Sequence, residues 1–202
     1  MSILKELLAK LGLLKITISV YTHVCVDNVI LDFINSLKSY CFNNLLTYFP
    51  IYFVRRAYLK YILKIKIGKK SFIHIGCRFG GPIIIGDNTV VGRNCVFLGN
   101  VIIKNNVSIT AETYVFTSSH LANSPTFECF YKSVVIEDYA WIGARAMILP
   151  GVQIGRGAIL GANSTATKNI PEYSIYAGIP AKKIGVRQKN LEYILNYSPF
   201  FQ

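Results

Sequence analysis

Acidic residues are scarce in this sequence. Among 202 residues there are 10 Asp and Glu against 22 Lys and Arg, which gives a formal net charge of +12. This imbalance indicates an anionic partner, and an anionic cofactor, glycan or lipid would each satisfy it. A nucleic acid fits less well, because the basic residues are spread along the chain and no nucleic-acid-binding motif accompanies them. The length fits one domain with an appendage.

Cysteine and histidine are too few and too scattered to build a metal site. The five cysteines form no CxxC pair, and the three histidines lack the spacing of a three-histidine zinc site. We therefore expect no metal. Cys77 and Cys95 fall on small-residue positions of a six-residue repeat, so we expect them to be buried structural thiols. An odd cysteine count without the features of a secretory signal indicates a cytoplasmic protein.

A six-residue repeat between Ile67 and Thr167 organises the chain. Helices repeat every 3.6 residues and half-buried strands every two, so neither element explains this period. It predicts short strands joined by corners, with one large inward side chain per strand, three strands per coil, and coils stacked about 4.8 Å apart. The bulky positions are Ile67, Ile73, Phe79, Ile85, Val91, Phe97, Ile103, Ile109 and Val115, and after one insertion Ile136, Ile142, Ile148, Ile154 and Leu160.

Smaller residues complete the repeat. A second set, four residues after each bulky position, is mostly small or β-branched, as at Cys77 and Ala146. Glycine often follows the bulky residue, as at Gly68, Gly86 and Gly143. We expect these corner glycines to adopt backbone angles that are closed to other residues.

The last third of the repeat carries a family resemblance. The motifs Trp141-Ile142-Gly143-Ala144, Pro150-Gly151-Val152 and Ala177-Gly178-Ile179-Pro180-Ala181 occur in an order that resembles the hexapeptide-repeat acyltransferases. The likeness is greatest to the maltose, galactoside and exopolysaccharide O-acetyltransferase branch. It covers about three-fifths of the chain, from Ile67 to Arg187. It implies a mainly β fold, a left-handed parallel β-helix, and the left hand comes from the resemblance alone.

Three parts follow from these patterns. Residues 1–66 form a helical, aromatic and basic region, with helices predicted over Ser2–Leu14 and from Asp27 to Tyr48. Residues 67–187 form the β-helix, which residues 117–133 leave as an excursion loop. Residues 188–202 form a C-terminal tail with at most a short helix.

Two interpretations of residues 1–66 stay open. The region caps the open end of the β-helix, or its aromatic and basic segment Ile51–Lys64 lies in a membrane interface, or both. A spanning helix is excluded between Lys38 and Arg55, because sixteen uncharged residues there fall short of the roughly 20 required. The second interpretation would place the protein peripherally on the inner face of the membrane.

His120 is the candidate catalytic residue. An imidazole titrates near neutral pH, so it can take a hydroxyl proton and return one to a leaving thiolate. The resemblance places the family's catalytic histidine where the chain leaves the coils, thirteen residues after an apolar corner residue, and Val107 to His120 reproduces this spacing. Covalent catalysis by a neighbouring Ser or Cys lacks the strand–turn–helix elbow of a hydrolase. His23 and His74 are predicted to be plain surface histidines.

The remaining site residues come from the resemblance. The backbone N–H of Ala144 is the expected oxyanion donor, with Gly143 beside it and Trp141 as either a wall of the acyl site or an exterior side chain. Asn94 falls near an acceptor-binding asparagine of the family. Acetyl-CoA is the implied cosubstrate, and its expected contacts are Ala162, Thr167, Lys168 and Lys182, with Lys183 or Arg187 replacing a basic residue that relatives carry at the position of Gly185.

These features predict an acetyl-CoA-dependent O-acetyltransferase. The expected acceptor is a sugar hydroxyl in surface-polysaccharide or lipid-linked glycan biosynthesis, and the resemblance implies a homotrimer with active sites between copies. The alternatives are a soluble small acceptor (serine, a free sugar or an antibiotic), a sugar amine, or a non-catalytic structural β-helix trimer.

Overall fold

The computed structural model describes residues 29–197 and 199. The chain divides into two compact units, Met1–Ser36 and Leu37–Gln202. The second unit contains the β-helix together with residues 37–66, whereas the sequence suggested a boundary at residue 66. The helix predicted over Ser2–Leu14, the first two residues of the helix predicted from Asp27 and His23 lie outside the described residues.

In the described residues, four helical elements precede the β-helix. They are α1 (Val29–Asn44), a 3-10 turn (Leu46–Tyr48), α2 (Tyr52–Ala57) and a π-helical turn (Tyr58–Ile62). Pro50, which cannot continue a helix, lies in the gap between the 3-10 turn and α2. Within the described part of the chain, no helix has the length and apolarity to cross a bilayer.

Nineteen strands are present in the described residues, most of them only two or three residues long. Before the excursion they are Lys66–Ile67 (β1), Phe72–Ile73 (β2), Arg78–Gly80 (β3), Ile83–Ile85 (β4), Val90–Val91 (β5), Val96–Leu98 (β6), Val101–Ile103 (β7), Ser108–Ile109 (β8) and Tyr114–Phe116 (β9). The excursion contains Ser118–His120 (β10) and Cys129–Tyr131 (β11). After it come Val134–Ile136 (β12), Trp141–Ile142 (β13), Met147–Ile148 (β14), Gln153–Ile154 (β15), Ile159–Leu160 (β16), Thr165–Ala166 (β17), Ser174–Ala177 (β18) and Lys182–Val186 (β19).

The strands stack into three sheets. Sheet 1 contains β1, β4, β7, β12 and β15, and sheet 3 contains β3, β6, β9, β14 and β17. Sheet 2 contains β2, β5, β8, β13, β16, β18 and β19. The chain passes from sheet 1 to 2 to 3 and back, so it turns at three corners, named here corner 1–2, corner 2–3 and corner 3–1.

The register confirms coils of eighteen residues. Ile67 pairs with Ile85 and Ile85 with Ile103, and both steps equal 18. Ile103 pairs with Ile136, a step of 33, so the excursion inserts fifteen extra residues (33 − 18). The fold is therefore a parallel β-helix, as the repeat predicts.

The bulky positions form one continuous apolar column. All fourteen are buried, and Phe79 stacks on Phe97 one coil later with ring centroids 5.6 Å apart. Cys77 and Cys95 are fully buried, which confirms the prediction of structural thiols. Burial raises the pKa of the Cys77 thiol well above its usual range and so keeps it protonated and unreactive.

The corner glycines serve a different purpose from the one predicted. Gly68, Gly86 and Gly143 do not have positive φ; the left-handed residues lie two positions later, as at Asn88 (φ 51°) and Arg145 (φ 59°). A Cβ on Gly143 would instead overlap the backbone nitrogen of Ala162 in the next coil. These glycines are needed because successive coils approach too closely there for a side chain.

Residues 43–56 cap the first coil. The Asn43 side chain bonds both backbone groups of Phe79, donating to its carbonyl at 2.9 Å and accepting from its N–H at 3.0 Å. The Thr47 hydroxyl donates to the carbonyl of Cys77 (2.7 Å), and the buried Arg55 guanidinium donates to that of Ile73 (2.9 Å). Burial lowers the pKa of Arg55. These side chains occupy the hydrogen-bonding groups that a preceding coil would have used.

The C-terminal tail runs back along corner 1–2, and residues 188–197 contain no helix. Arg187 donates to the carbonyl of Tyr139 (2.9 Å), and the N–H of Leu195 donates to the Asn106 side chain (3.3 Å). Tyr197 stacks on His74 of the first coil, with centroids 5.3 Å apart. His74 is thus buried against the tail, so the prediction of a surface histidine is wrong.

Candidate functional site

The excursion is a short β-hairpin projecting from corner 3–1. Strands β10 and β11 pair antiparallel, with Ser118 beside Tyr131 and His120 beside Cys129. Its base is fixed to the coils because the Lys132 N–H donates to the Thr117 carbonyl at 2.7 Å. The Thr117 hydroxyl in turn donates to the carbonyl of Leu98 (2.9 Å). The coils therefore hold the hairpin at a defined place.

A hydrogen bond of the His120 side chain determines which of its ring nitrogens carries the proton. Its Nδ1 lies 2.9 Å from the carbonyl oxygen of Phe127. A carbonyl can only accept, so the neutral imidazole carries its proton on Nδ1 and its lone pair on Nε2. The side chain is exposed, so Nε2 is accessible to an incoming hydroxyl. This is the state that a general base requires.

Phe127 is a site residue that the sequence did not reveal. Its ring stacks on the imidazole of His120, with centroids 4.3 Å apart and planes within 6°. It also has φ +49°, the left-handed region that bulky residues rarely adopt. One residue thus holds the imidazole by its carbonyl and by its ring. Its role depends on the hairpin turn, and no sequence pattern announces it.

The predicted oxyanion residues lie at corner 2–3. The N–H of Trp141 donates to the carbonyl of Ala158 and that of Gly143 to the carbonyl of Leu160, so both amides are committed to the next coil. The amide of Ala144 has no hydrogen-bond partner among residues 29–197 and 199. Of the predicted group, Ala144 is therefore the residue with an amide available to a ligand.

Trp141 lies on the outer face of sheet 2. Its side chain is 47 % exposed, and its indole N–H donates to the Thr110 hydroxyl at 3.3 Å. The neighbouring Ile142 points inward and is buried. The indole thus forms part of the surface beside corner 2–3, where either predicted role fits.

Three of the predicted coenzyme A residues, Ala162, Lys182 and Lys183, lie at the same corner as Ala144. Ala162 stacks one coil beyond it, and the N–H of Asn163 donates to the Ala144 carbonyl at 2.8 Å. The N–H of Ala181 donates to the carbonyl of Thr165 (2.8 Å), which brings the exposed Lys182 and Lys183 beside β17. Thr167 and Lys168 are exposed at the other end of β17. Exposed lysines on both sides of this strand suit the phosphates of a nucleotide cofactor.

The structure does not bring Arg187 to this group within one chain, and its suggested replacement of the missing basic residue stays a prediction. Strand β19 runs antiparallel to β18, so Lys182 lies at corner 2–3 and Arg187 at corner 1–2. The guanidinium donates to the carbonyls of Tyr139 (2.9 Å) and Gly157 (3.3 Å) and anchors the tail. Of the two suggested replacements, only Lys183 lies beside β17.

Asn94 also lies at corner 2–3, but in an earlier coil. It has φ +56°, a left-handed conformation that Asn tolerates better than most residues. Its side chain lies over Gly76, which has no room for a Cβ there. These features give Asn94 a structural role at the corner, and a role in acceptor binding stays a prediction.

The chain does not bring His120 and Ala144 together by itself. The hairpin leaves at corner 3–1 and Ala144 lies at corner 2–3, so they occupy opposite edges of sheet 3. Strands advance about 3.3 Å per residue, which makes this separation about 15 Å. Among the described residues, no group of His, Cys, Asp and Glu is arranged to hold a metal ion.

Family models match the coils on both sides of the hairpin. A model described as "Bacterial transferase hexapeptide (six repeats)" matches residues 64–97 and 133–168. A model described as "Hexapeptide repeat of succinyl-transferase" matches residues 82–115.

Three curated relatives are similar over parts of the chain. A chloramphenicol acetyltransferase of Klebsiella aerogenes is 40% identical over 76 residues, which is 37% of this chain and 36% of that protein. A galactoside O-acetyltransferase of Lactococcus lactis is 35% identical over 106 residues, 44% and 51% of the two chains. A putative lipopolysaccharide biosynthesis O-acetyl transferase of Escherichia coli K12 is 45% identical over 53 residues, 26% and 27%. The chain spans about half or less of the length of these relatives.

A solved structure matches more of the chain. The hexapeptide-repeat-containing acetyltransferase of Vibrio cholerae in complex with acetyl coenzyme A superposes with a TM-score of 0.68 and is 27% identical. The match covers 83% of this chain and 94% of that one.

Proposed function

The chain belongs to the hexapeptide-repeat acyltransferases, and on that premise we propose that it is an acetyl-CoA-dependent O-acetyltransferase. The acceptor is a sugar hydroxyl in surface-polysaccharide or lipid-linked glycan biosynthesis. The observation that carries this proposal is the hydrogen bond from His120 Nδ1 to the Phe127 carbonyl, which makes Nε2 a proton acceptor. The lipopolysaccharide O-acetyl transferase and the galactoside O-acetyltransferase among the relatives support the acceptor class.

The proposed reaction uses one base and one backbone donor. His120 Nε2 takes the proton of the acceptor hydroxyl as its oxygen adds to the thioester carbonyl. The N–H of Ala144 donates to the oxyanion that develops there, an interaction worth about 3–4 kcal/mol of barrier in comparable sites. The C–S bond then breaks, and His120 returns its proton to the departing thiolate.

The cosubstrate is held by the last coil in this proposal. Lys168, Lys182 and Lys183 pair with the phosphates of coenzyme A, and Ala162 leaves room for its pantetheine arm beside Ala144. The complex of the Vibrio cholerae structure with acetyl coenzyme A supports this choice of cosubstrate.

We further propose a homotrimer with active sites between copies. The separation of His120 and Ala144 across sheet 3 supports it, because a neighbouring chain that packs along this sheet would bring its own corner 2–3 to the hairpin. A closed threefold ring of such contacts satisfies every copy equally.

Acetyl transfer to a panel of acceptors tests the proposal. Full-length protein is incubated with acetyl-CoA and with free sugars, a lipid-linked sugar, an amino sugar, serine, chloramphenicol or a macrolide, and thiol release is followed. Release with the sugar hydroxyls supports the proposal, and release with none of these acceptors contradicts it. Calorimetry that detected no binding of coenzyme A would instead favour a structural trimer.

The chloramphenicol acetyltransferase relative favours a second candidate. Its 40% identity falls on a 76-residue segment, so a soluble antibiotic acceptor is the main competitor. Transfer to chloramphenicol that is faster than transfer to any sugar would replace the glycan with this acceptor. It would leave the roles of His120 and Ala144 unchanged.

A further inference from the structure

The residues of the cap that face inward cover the open end of the first coil. Arg55 donates to the carbonyl of Ile73, and Arg56 donates to those of Ser71 (2.9 Å) and Gly68 (2.8 Å). Leu59, on the same side of this segment, is fully buried. Both arginines are therefore directed into the protein, although they are the most polar residues of the segment.

The opposite side of the same segment is apolar and exposed. Phe53 is 72 % exposed and Tyr61 is 63 % exposed, while Ile62 is 42 % exposed. Residues four apart lie on one face of a helix, so Phe53 and Tyr61 share a face with the exposed Ala57 between them. We call this surface, Phe53, Ala57, Lys60, Tyr61 and Ile62, the outer face of the cap. It is the reverse of the pattern expected for a cap that meets only water.

The sequence around the outer face carries an excess of positive charge. Residues 33–86 contain no Asp or Glu. Lys60 belongs to the outer face, and Lys64 and Lys66 are exposed and follow it in the sequence. Lys69 and Lys70 come at the first corner, where the Asp87 carboxylate accepts from the N–H of Lys69 at 2.6 Å. The basic residues of this stretch are Lys38, Arg55, Arg56, Lys60, Lys64, Lys66, Lys69, Lys70 and Arg78. A copy of the same face would be repelled by this charge, whereas an anionic surface would be attracted.

We propose that the outer face of the cap docks on an anionic lipid bilayer. Tyr and Phe rings favour the boundary between headgroups and acyl chains, and lysines around them are attracted to anionic headgroups. The arginines, which the sequence pattern would have placed at the headgroups, are used for capping, so the lysines supply the attraction.

The proposal also relates the cap to the candidate site. The hairpin leaves the β-helix after the third coil, and coils are about 4.8 Å apart, so His120 lies about 10–15 Å along the axis from the first coil. This step rests on the proposed function: an acceptor sugar linked to a lipid in the same bilayer would be within reach of the hairpin.

Co-sedimentation of the full-length protein with vesicles tests the docking. We expect binding to vesicles that contain phosphatidylglycerol, weaker binding at high salt, and little binding to pure phosphatidylcholine. Replacement of Lys60 and Lys64 by Gln should weaken partitioning about fivefold for each lysine. Phe53→Ser with Tyr61→Ser should weaken it about tenfold or more.

A matched control lies at the other end of the β-helix. Ile184 and Val186 of β19 are 68 % and 66 % exposed, so Ile184→Ser with Val186→Ser removes comparable apolar surface without touching the cap. We expect this variant to bind vesicles like the wild type. Equal loss in both variants, unchanged binding of the Phe53→Ser, Tyr61→Ser protein, or sedimentation of the protein without vesicles would overturn the docking proposal. Transfer to a soluble acceptor is measured separately, so failure of the proposed function is distinguishable.

Discussion

The imidazole of His120 lies flat against the ring of Phe127, 4.3 Å between centroids, while its Nδ1 hydrogen-bonds the carbonyl of the same residue. Two independent contacts with one neighbour leave the imidazole little freedom to rotate. A preorganised base needs no reorganisation when the acceptor arrives. The relationship is local to the hairpin and does not depend on any other copy of the chain.

Removal of the imidazole is the first test of the assignment. We expect His120→Ala to lower kcat/KM for acetyl transfer about 10²–10⁴-fold, because the hydroxyl proton loses its acceptor. The side chain is exposed, so the melting temperature should not change. A variant that keeps full transfer would remove His120 from the mechanism.

Removal of the stacked ring tests the positioning role of Phe127. Phe127→Ala keeps the carbonyl that holds Nδ1 but loses the ring, and we expect kcat to fall about tenfold or more while KM for acetyl-CoA stays the same. Phe127→Tyr keeps the ring and serves as the control, with near-normal kcat expected. If both variants transfer at the wild-type rate, the ring does not position the base.

The close approach of coils predicts a difference between two glycines. Gly143→Ala places a Cβ against the backbone of Ala162 and should lower the free energy of unfolding by about 1–3 kcal/mol. Gly185→Ala meets nothing nearer than a side-chain atom of Ile175 at 3.5 Å and should change it by less than about 0.5 kcal/mol. Chemical denaturation of both proteins measures the difference. Equal stability would contradict the explanation by space.

Lys182, at the start of β19, and Arg187, just after its end, should differ in what their removal changes: cofactor affinity for the first and stability for the second. Lys182→Ala should weaken acetyl-CoA binding about tenfold without a change in melting temperature, since the amine is exposed and its proposed partner is a phosphate of the cosubstrate. Arg187→Ala should lower the free energy of unfolding by about 1–2 kcal/mol, because two backbone carbonyls and the tail lose their donor, while acetyl-CoA affinity stays the same. Calorimetry and thermal melts together check this pair. A loss of affinity in the Arg187 variant would return this residue to the cofactor site.

The cap predicts a buried arginine that matters for stability. Arg55→Leu leaves the carbonyl of Ile73 without its donor, and we expect the free energy of unfolding to fall by about 1–3 kcal/mol. Arg78→Leu, an exposed change in the first coil, should stay within about 0.5 kcal/mol of wild type. Urea denaturation provides both values, and equal values would show that capping does not depend on this residue.

The sequence predicted the coils well because their cause is repeated at every turn. Each bulky position, from Ile67 to Leu160, meets the same environment, so its period is readable without coordinates. The reason for Gly143 was not readable, because it depends on the backbone of Ala162 nineteen residues later. The repeat alone cannot indicate how closely two coils approach.

The differences between sequence and structure outside the coils have a common cause. Arg187 was placed with the lysines because it is near them in sequence, but the antiparallel course of β19 carries it across sheet 2. His74 was taken for a surface residue because its cover, Tyr197, comes from the tail. Phe127 was missed because a left-handed backbone angle at a bulky residue has no sequence signal. Contacts made outside the repeat leave no periodic pattern in the sequence, so they cannot be predicted from it in this way.

The tail along corner 1–2 has a consequence for how the coils come apart. Stacked repeats interact only with their neighbours, so such arrays tend to fray from their ends. Here the C-terminal tail contacts Gly157, Tyr139, Asn106 and His74 in succession, and it therefore links the last coils to the first. Neither terminal coil can unfold without breaking contacts of the tail, so the two ends of the β-helix are expected to melt as one cooperative unit.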